Sequence, residues 1–306
     1  MEKRYNTYGE MLKERFGLEK IFKVPIDAGF TCPNRDGKCG TGGCTFCSST
    51  GSGDAMVTHT RDLVEQFETQ VARLKLKWPK AHKYIVYFQS FTNTYGDIAV
   101  IRERYEAIIN HPDVIGISIG TRPDCLADDV LEYLAELNKR FYLWVELGLQ
   151  TTNDETSRRV NRGHDYQVYV EAAAKLRALD INVCVHLING LPGEDHEQMV
   201  ENVRRVVADS DIQGIKLHLL HLIKGSRIID DYERGELKLM PRVDYVKLVC
   251  DQLEIIPKNI IIHRLTGDAP RDILVGPMWS LKKFEIMNAI DTELARRGTC
   301  QGSGFL

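Results

Sequence analysis

Short apolar runs alternate with longer amphipathic runs along most of this chain, and that order limits the possible folds more than any other feature. The apolar runs are rich in β-branched residues and predict strands at 21–26, 83–89, 114–120, 142–149, 181–188 and 213–221. The runs between them have helical spacing and predict helices at 60–77, 97–110, 128–139, 166–179 and 195–209. Because strands that alternate with helices form parallel βαβ units, the sequence predicts an α/β fold with a parallel sheet or a partial barrel.

The alternation weakens after Gly225. A polar stretch is followed by a predicted helix near 242–254, a strand-like run at 259–265 and a final helix near 280–297. We therefore predict two parts, a core barrel with an N-terminal extension at 1–225 and a C-terminal α/β extension packed on the barrel at 226–306.

The composition is that of a globular protein, with 43% hydrophobic and 27% charged residues in a chain of 306. No uncharged apolar run approaches the roughly 18 residues that a membrane span needs, and the first residues lack the apolar core of a signal peptide. We therefore predict a cytoplasmic protein without membrane contact. The net charge of −3 provides no general attraction for nucleic acid, so any RNA contact has to come from a local basic patch.

Alternate residues in the predicted strands differ in polarity. In 142–150 the odd positions are all leucine or valine, whereas the even positions are Trp144, Glu146, Gly148 and Gln150. Since successive side chains point to opposite faces of a strand, the odd set should pack on helices and the even set should point into the barrel. The same parity places Lys216 inside the barrel. A buried Glu146 or Lys216 then needs a partner or a ligand, because an unpaired buried charge is costly.

Four of the eight cysteines fall within sixteen residues, in a glycine-rich segment after the first predicted strand. They are Cys32, Cys39, Cys44 and Cys47. Two metal centres fit thiols at this spacing: a zinc ion on all four, which would make the chain a non-catalytic binding module, or an iron–sulfur cluster on three. The loop follows a strand at the end where a βα-barrel has its active site, which favours the cluster.

Cys32, Cys44 and Cys47, with Phe46 before the last cysteine, resemble the cluster motif of radical S-adenosylmethionine enzymes. Eleven residues separate the first two cysteines, a longer spacing than is usual in that superfamily. The resemblance continues through GTRPDCL at 120–126, VELGLQTTNDETSRRVNRGHD at 145–165, HLINGLPGE at 186–194 and GIKLHLLHLIKGS at 214–226. Over nearly its whole length the chain resembles a bacterial subfamily of the group related to the Elongator catalytic subunit.

This resemblance implies a partial (β/α)6 barrel, a 4Fe-4S cluster on Cys32, Cys44 and Cys47, and S-adenosylmethionine bound to the fourth iron. Reductive cleavage of the cofactor would give a 5′-deoxyadenosyl radical that abstracts hydrogen from a substrate. Cys39 would be a loop thiol. The resemblance places these residues near the cofactor: Phe46, Gln89, Ser118, Thr121, Glu146, Gln150, Arg162 and Leu191.

The candidates for substrate contact are His186, Lys216 and His218, which belong to the inward-facing set. No catalytic residue beyond these follows from the sequence. The resemblance implies an external one-electron donor of the flavodoxin or ferredoxin type. It also makes a tRNA base, through wobble uridine modification, the first substrate class to consider, with a small metabolite and a peptide as alternatives. The oligomeric state does not follow from the sequence.

Overall fold

The computed structural model describes residues 3–48, 51 and 60–305. Its strands are β1 (Phe22–Ile26), β2 (Tyr84–Phe88), β3 (Val114–Thr121), β4 (Tyr142–Gln150), β5 (Asn182–Asn189), β6 (Gly214–Leu219), β7 (Leu222–Ile223), β8 (Ile261–Arg264) and β9 (Leu274–Gly276). Seven of them form one parallel sheet in the order β1-β2-β3-β4-β5-β6-β8, while β7 and β9 pair antiparallel. The sheet confirms the predicted partial barrel.

The helices are α1 (Tyr8–Phe16), α2 (Leu63–Lys77), α3 (Ile98–Ile109), α4 (Asp128–Arg140), α5 (Asp154–Arg159), α6 (Tyr166–Arg177), α7 (His196–Asp209), α8 (Ile228–Glu233), α9 (Arg242–Ile255) and α10 (Lys283–Arg297), with a 3-10 turn at Met278–Leu281. Side-chain caps fix several starts: the carboxylates of Asp62, Asp97 and Asp195 accept backbone N–H bonds at the starts of α2, α3 and α7. Every helix predicted from the sequence is present within a few residues. The structure adds α1, α5, α8 and the β7–β9 pair, which the sequence did not predict.

The predicted division of strand faces holds along β4. Leu143, Val145, Leu147 and Leu149 are buried in the main hydrophobic core between the sheet and its helices, so the alternate residues face the interior of the barrel.

The same alternation predicts that Ile115, Ile117 and Ile119 share one face of β3, opposite Gly116, Ser118 and Gly120, and this prediction is partly wrong. Ile117 and Ile119 lie in that core, but Ile115 packs against a separate cluster that includes Leu12 of α1. The register between β2 and β3 shifts at Tyr84 and Ile85, which accounts for the change of side.

The chain after β6 contributes to the same sheet as the barrel. β8 pairs with β6, and α1 lies beside β8, where the N–H of Ile262 donates to the carbonyl of Asn6 at 2.8 Å. Helix α9 packs between α7 and α10. A C-terminal α/β extension is therefore present, while the division at residue 225 stays a prediction. Within the described ranges, no helix is both long and apolar enough to cross a membrane.

Candidate functional site

The cysteine loop follows β1 and is held against α5 and the segment before α8 by backbone contacts. The N–H of Thr45 donates to the carbonyl of Val160 at 3.0 Å, and the N–H of Ile228 donates to the carbonyl of Thr45 at 2.9 Å. The side chains of Asn161 and Arg227 both donate to the carbonyl of Gly43. Gly43 has φ +73°, a conformation that favours glycine, and this lets the chain turn into the last two cysteines. The loop is fixed on both sides of Cys44.

Cys44 is buried and is surrounded by hydrogen-bond donors. Its Sγ lies 3.5 Å from Nη1 of Arg162 and 3.7 Å from Nδ2 of Asn34. A hydrogen bond from Cys47 and the guanidinium of Arg162 lower the pKa of Cys44 well below its usual value, although burial acts against them. The same hydrogen bond and burial raise the pKa of Cys47. The charge of Cys32 adds to this increase. Cys44 and Cys47 are therefore in contact, and Cys32 is close enough to act electrostatically on Cys47.

Cys39 stands apart from this arrangement. It is exposed, and its Sγ lies 3.6 Å from Nη2 of Arg122. Among the described residues, no group of three or more Cys, His, Asp or Glu side chains has the arrangement of a metal site. The donor set nonetheless fits an iron–sulfur cluster chemically, because a thiolate that accepts hydrogen bonds from a cation is stabilised as a ligand. The buried Nε of Arg162 and Oδ1 of Asn34 have no hydrogen-bond partner in the described part of the chain, so polar atoms beside Cys44 are available to a bound group.

Glycines occupy the inner face of the sheet next to this loop. A Cβ on Gly148 would lie 3.0 Å from Nη2 of Arg162 and 2.9 Å from Nε2 of Gln150, and one on Gly120 would lie 3.2 Å from the carbonyl of Phe88. The guanidinium of Arg162 also donates to the carbonyl of Gly148. Arg162 thus joins the end of β4 to Cys44.

The residues expected near the cofactor fall into several environments. Gln150 ends β4 with φ +82°, a left-handed conformation that a non-glycine residue adopts at a cost and that is frequent at functional sites. Thr121 is buried and shares a hydrogen bond of 2.5 Å with Thr94. Gln89 is half-buried just beyond β2, and its N–H donates to the carbonyl of Ile26. Ser118 donates to Glu146 inside the barrel.

Phe46 and Leu191 belong to one small apolar cluster, separate from the main core. Its buried members include Val160, Leu220 and Ile228, and Phe46 packs against it from the cysteine loop. The structure therefore brings together two residues that lie far apart in the sequence and that were both expected beside the cofactor.

Glu146 lies at the centre of a buried ionic cluster inside the barrel. Its carboxylate is fully buried and accepts hydrogen bonds from four side chains on four other strands. Lys23 and Ser118 donate to Oε1, and Lys216 and His186 to Oε2. The expectation that Glu146 and Lys216 need partners is confirmed, since each is the partner of the other.

The pKa values of Glu146, Lys216 and His186 are all lowered, for different reasons. The lysines and His186 hold the pKa of Glu146 well below its usual range against the effect of burial. Burial lowers the pKa of Lys216 to about 8, and burial together with the charge of Lys216 lowers the pKa of His186 to about 4. His186 is therefore neutral at pH 7, with Nε2 directed at Glu146 at 2.8 Å.

Three further residues adjoin the cluster. The hydroxyl of Tyr87 lies 3.2 Å from Nζ of Lys216, and Nδ1 of His263 lies 3.3 Å from Nζ of Lys23. His218, half-buried on β6, has its ring centroid 5.2 Å from that of His186, and its buried Nε2 has no partner within the described ranges.

The sequence reasoning did not identify Lys23 or Arg122 as site residues. Val24 of β1 is fully buried in the main core and Lys23 is not, but a strand of five residues is too short for its alternation to identify Lys23 as a site residue. Arg122 follows β3 directly, and its guanidinium pairs with Asp124 at 2.7 Å and donates to the carbonyl of Arg162 at 2.8 Å. Arg122 therefore supports the residue that contacts Cys44.

Two family models match the chain. The Radical SAM superfamily matches residues 35–206, and the Radical_SAM C-terminal domain matches residues 212–296. The first match includes Cys44 and Cys47 but begins after Cys32.

Similar proteins agree with these matches. The uncharacterized protein YtqA of Bacillus subtilis is 55% identical over 99% of this chain and 94% of its own length. The tRNA uridine(34) acetyltransferase of Methanocaldococcus jannaschii is 25% identical over 53% of this chain and 30% of its own length. Among solved structures, Elp3 of Methanocaldococcus infernus, lacking its N-terminus, is similar with a TM-score of 0.71 at 17% identity, over 92% of this chain and 64% of that one.

Proposed function

Since the chain belongs to the radical S-adenosylmethionine superfamily, we propose that Cys32, Cys44 and Cys47 hold a 4Fe-4S cluster with which it cleaves S-adenosylmethionine reductively. The observation that carries this proposal is the environment of Cys44, a buried thiol with a lowered pKa, with Cys47 and the cation of Arg162 in contact. When bound, the cluster and S-adenosylmethionine supply a 5′-deoxyadenosyl radical that abstracts hydrogen from a substrate. We further propose that an external donor of the flavodoxin or ferredoxin type supplies the electron and that the protein is located in the cytoplasm.

The residues of this chain would position the cofactor and keep water away from it. Gly148 lets the side chains of Gln150 and Arg162 lie close against the inner face of β4, because a Cβ there would meet them within 3.0 Å. Phe46 and Leu191 provide an apolar surface next to the cysteine loop, suited to the adenine ring. Gln150 and Arg162 provide polar groups at the end of β4 for the ribose and the carboxylate of the methionine part. Thr121 and Gln89 lie at the ends of the neighbouring strands.

We propose a tRNA base as the substrate. This is supported by the similarity of about half of the chain to proteins named tRNA uridine(34) acetyltransferase. His186, Lys216 and His218 are the proposed substrate contacts, because they line the interior of the barrel on β5 and β6.

Anaerobic reconstitution with iron and sulfide tests the cluster. We expect a brown protein with four irons per chain that releases 5′-deoxyadenosine from S-adenosylmethionine in the presence of dithionite. Cys44→Ser should lose the cluster, and the matched variant Cys39→Ser should keep it. A colourless protein that holds one zinc and loses it in Cys39→Ser would refute this proposal and support a zinc-stabilised binding module.

The RNA substrate is tested separately in cells. Nucleosides from the tRNA of a strain that lacks the gene are compared by mass spectrometry with those of the same strain carrying the wild-type or the Cys44→Ser gene. We expect one modified nucleoside that only the wild-type gene restores. Identical nucleoside profiles in all three strains would reject tRNA as the substrate while leaving the cluster chemistry intact.

A further inference from the structure

The ionic cluster around Glu146 contains one more cation than anion. Lys23 and Lys216 share the single carboxylate of Glu146, and Arg264, whose charge also acts on Lys216, is positive as well. The carboxylate of Asp268 is paired with Arg264 at 3.3 Å and with Lys283 at 2.9 Å, so it is not available to compensate a lysine of the cluster. We propose that this cluster binds an oxyanion, a carboxylate or phosphate group, of the molecule that enters the barrel.

A count of hydrogen-bond donors and acceptors supports the same conclusion. A carboxylate accepts about four hydrogen bonds, and Glu146 receives four, so its capacity is used. Each ammonium group has three N–H bonds. Lys216 directs a second one to the hydroxyl of Tyr87 and Lys23 a second one to His263, which leaves one N–H on each lysine without an acceptor among the described residues.

The histidines around the cluster do not correct this imbalance. Burial lowers the pKa of His186, His218 and His263, so all three are neutral at pH 7. In both His218 and His263 Nε2 is buried and has no partner among the residues that the structure describes. The cluster therefore has unused donors and a net positive charge. An anion would supply both the missing acceptor and the missing charge.

The cluster is reachable from solvent. The side chains of Lys23 and His186 are 16% and 15% exposed, whereas that of Lys216 is 6% exposed and that of Glu146 is fully buried. Glu146 is thus the fixed counter-charge that holds the two lysines in place, and Lys23, His186 and Lys216 are the groups that a ligand can contact.

This arrangement deepens the proposed function, on which it rests, because it gives the chemical class of the substrate: a molecule with an oxyanion that reaches the middle of the barrel. It also explains why two buried lysines lie beside a single glutamate. One lysine is enough to neutralise Glu146, and the second adds a buried charge that costs stability unless a ligand compensates it.

The test is the thermal unfolding of the anaerobically reconstituted protein at constant ionic strength, in chloride alone and with inorganic phosphate or acetate replacing part of the chloride. We expect at least one of the two oxyanions to raise Tm by about 2–4 °C at roughly ten times its dissociation constant. A shift with phosphate alone identifies a phosphate group, and a shift with acetate alone identifies a carboxylate.

The variant Lys23→Met makes the cluster neutral. We expect its Tm in chloride to equal or exceed that of the wild type and its shift with the oxyanion to disappear. Lys139→Met, which replaces an exposed lysine of α4, is the matched control and should keep the full shift.

Three results would overturn the inference: a wild-type Tm that neither anion changes, a Lys23→Met protein that keeps the shift, or a Lys23→Met protein that unfolds at a clearly lower temperature in chloride. Cluster content and release of 5′-deoxyadenosine by the wild-type protein, measured on the same preparation, report on the proposed function independently.

Discussion

The substitution Glu146→Gln removes the negative charge that Lys23 and Lys216 share while keeping the size of the side chain. The carboxylate is fully buried and accepts four hydrogen bonds, and Lys216, with a side chain only 6% exposed, cannot turn to water for compensation. Removing one partner of a buried ion pair costs about 3–5 kcal/mol. At about 2 °C per kcal/mol for a chain of this size, Tm should fall by about 6–10 °C.

The loss of stability caused by Glu146→Gln should decrease as the pH rises. Burial lowers the folded-state pKa of Lys216 to about 8 from 10.5, and Glu146 acts against this shift. Between the folded and unfolded pKa values the unfolded chain binds more protons, so stability rises with pH over that interval. Without Glu146 the folded pKa of Lys216 falls further and the interval begins at a lower pH. The difference in Tm between the wild type and Glu146→Gln should therefore be larger at pH 6 than at pH 8.

Thermal unfolding followed by circular dichroism at both pH values measures this difference. Glu136→Gln is the matched control, because Glu136 forms an exposed ion pair with Arg102 on the surface and its loss should cost at most about 1 kcal/mol. The double variant Glu146→Gln/Lys216→Met should recover part of the lost stability, since it removes one of the two unpaired cations. A Glu146→Gln protein with the Tm of the wild type, or a double variant less stable than the single one, would refute the reasoning.

Three further predictions concern Arg162, Gly148 and Glu194. Arg162→Gln should still form a cluster, but its reduction potential should be lower because the variant loses the cationic donor to Cys44. A redox titration followed by EPR measures this potential, and the potential of Arg162→Lys should lie between those of Arg162→Gln and the wild type. Gly148→Ala should weaken binding of S-adenosylmethionine, measured by equilibrium dialysis of the reconstituted protein, because the new Cβ would lie 2.9 Å from Gln150 and 3.0 Å from Arg162; unchanged affinity would place the cofactor elsewhere. Burial raises the pKa of Glu194 to about 7, so the folded chain binds the extra proton between about pH 4.5 and 7 and stability falls as pH rises through that range. Glu194→Gln should abolish this part of the pH dependence of Tm, and an unchanged profile would show that Glu194 is ionised in the fold.

The strands and the main helices could be predicted from the sequence because each one carries its own periodic signal. Along β4 the alternation between leucine or valine and larger or polar residues identified both the strand and its inner face. The same parity placed Glu146 and Lys216 inside the barrel and required a partner for each. Short elements lack such a signal: α5 and α8 have six residues each, and β7 has two, so their local sequence does not distinguish them from loops.

The contacts between distant segments could not be predicted in the same way. Arg162 was expected near the cofactor through the resemblance, but its bond to Cys44 depends on how the loop after β1 lies against the turn after α5. Lys23 belongs to the first strand, which is too short for its alternation to separate it from an exposed lysine. The roles of Lys23 and Arg162 can be recognised only in the folded sheet, in which β1 and β4 face the same barrel interior.

Strand β4 links the two functional regions of the barrel. Glu146 organises the ionic cluster, and two residues later the carbonyl of Gly148 accepts a hydrogen bond from Arg162, which contacts Cys44. A strand advances about 3.3 Å per residue, so these two points on β4 are separated by about 7 Å. Hydrogen abstraction requires the reacting atoms to approach within about 3–3.5 Å. A substrate whose oxyanion is bound by Lys23 and Lys216, as we propose, would have to span about 7 Å along β4 to bring its reacting carbon to the cofactor side of the strand. In that arrangement the ionic cluster would bind the end of the substrate that does not react.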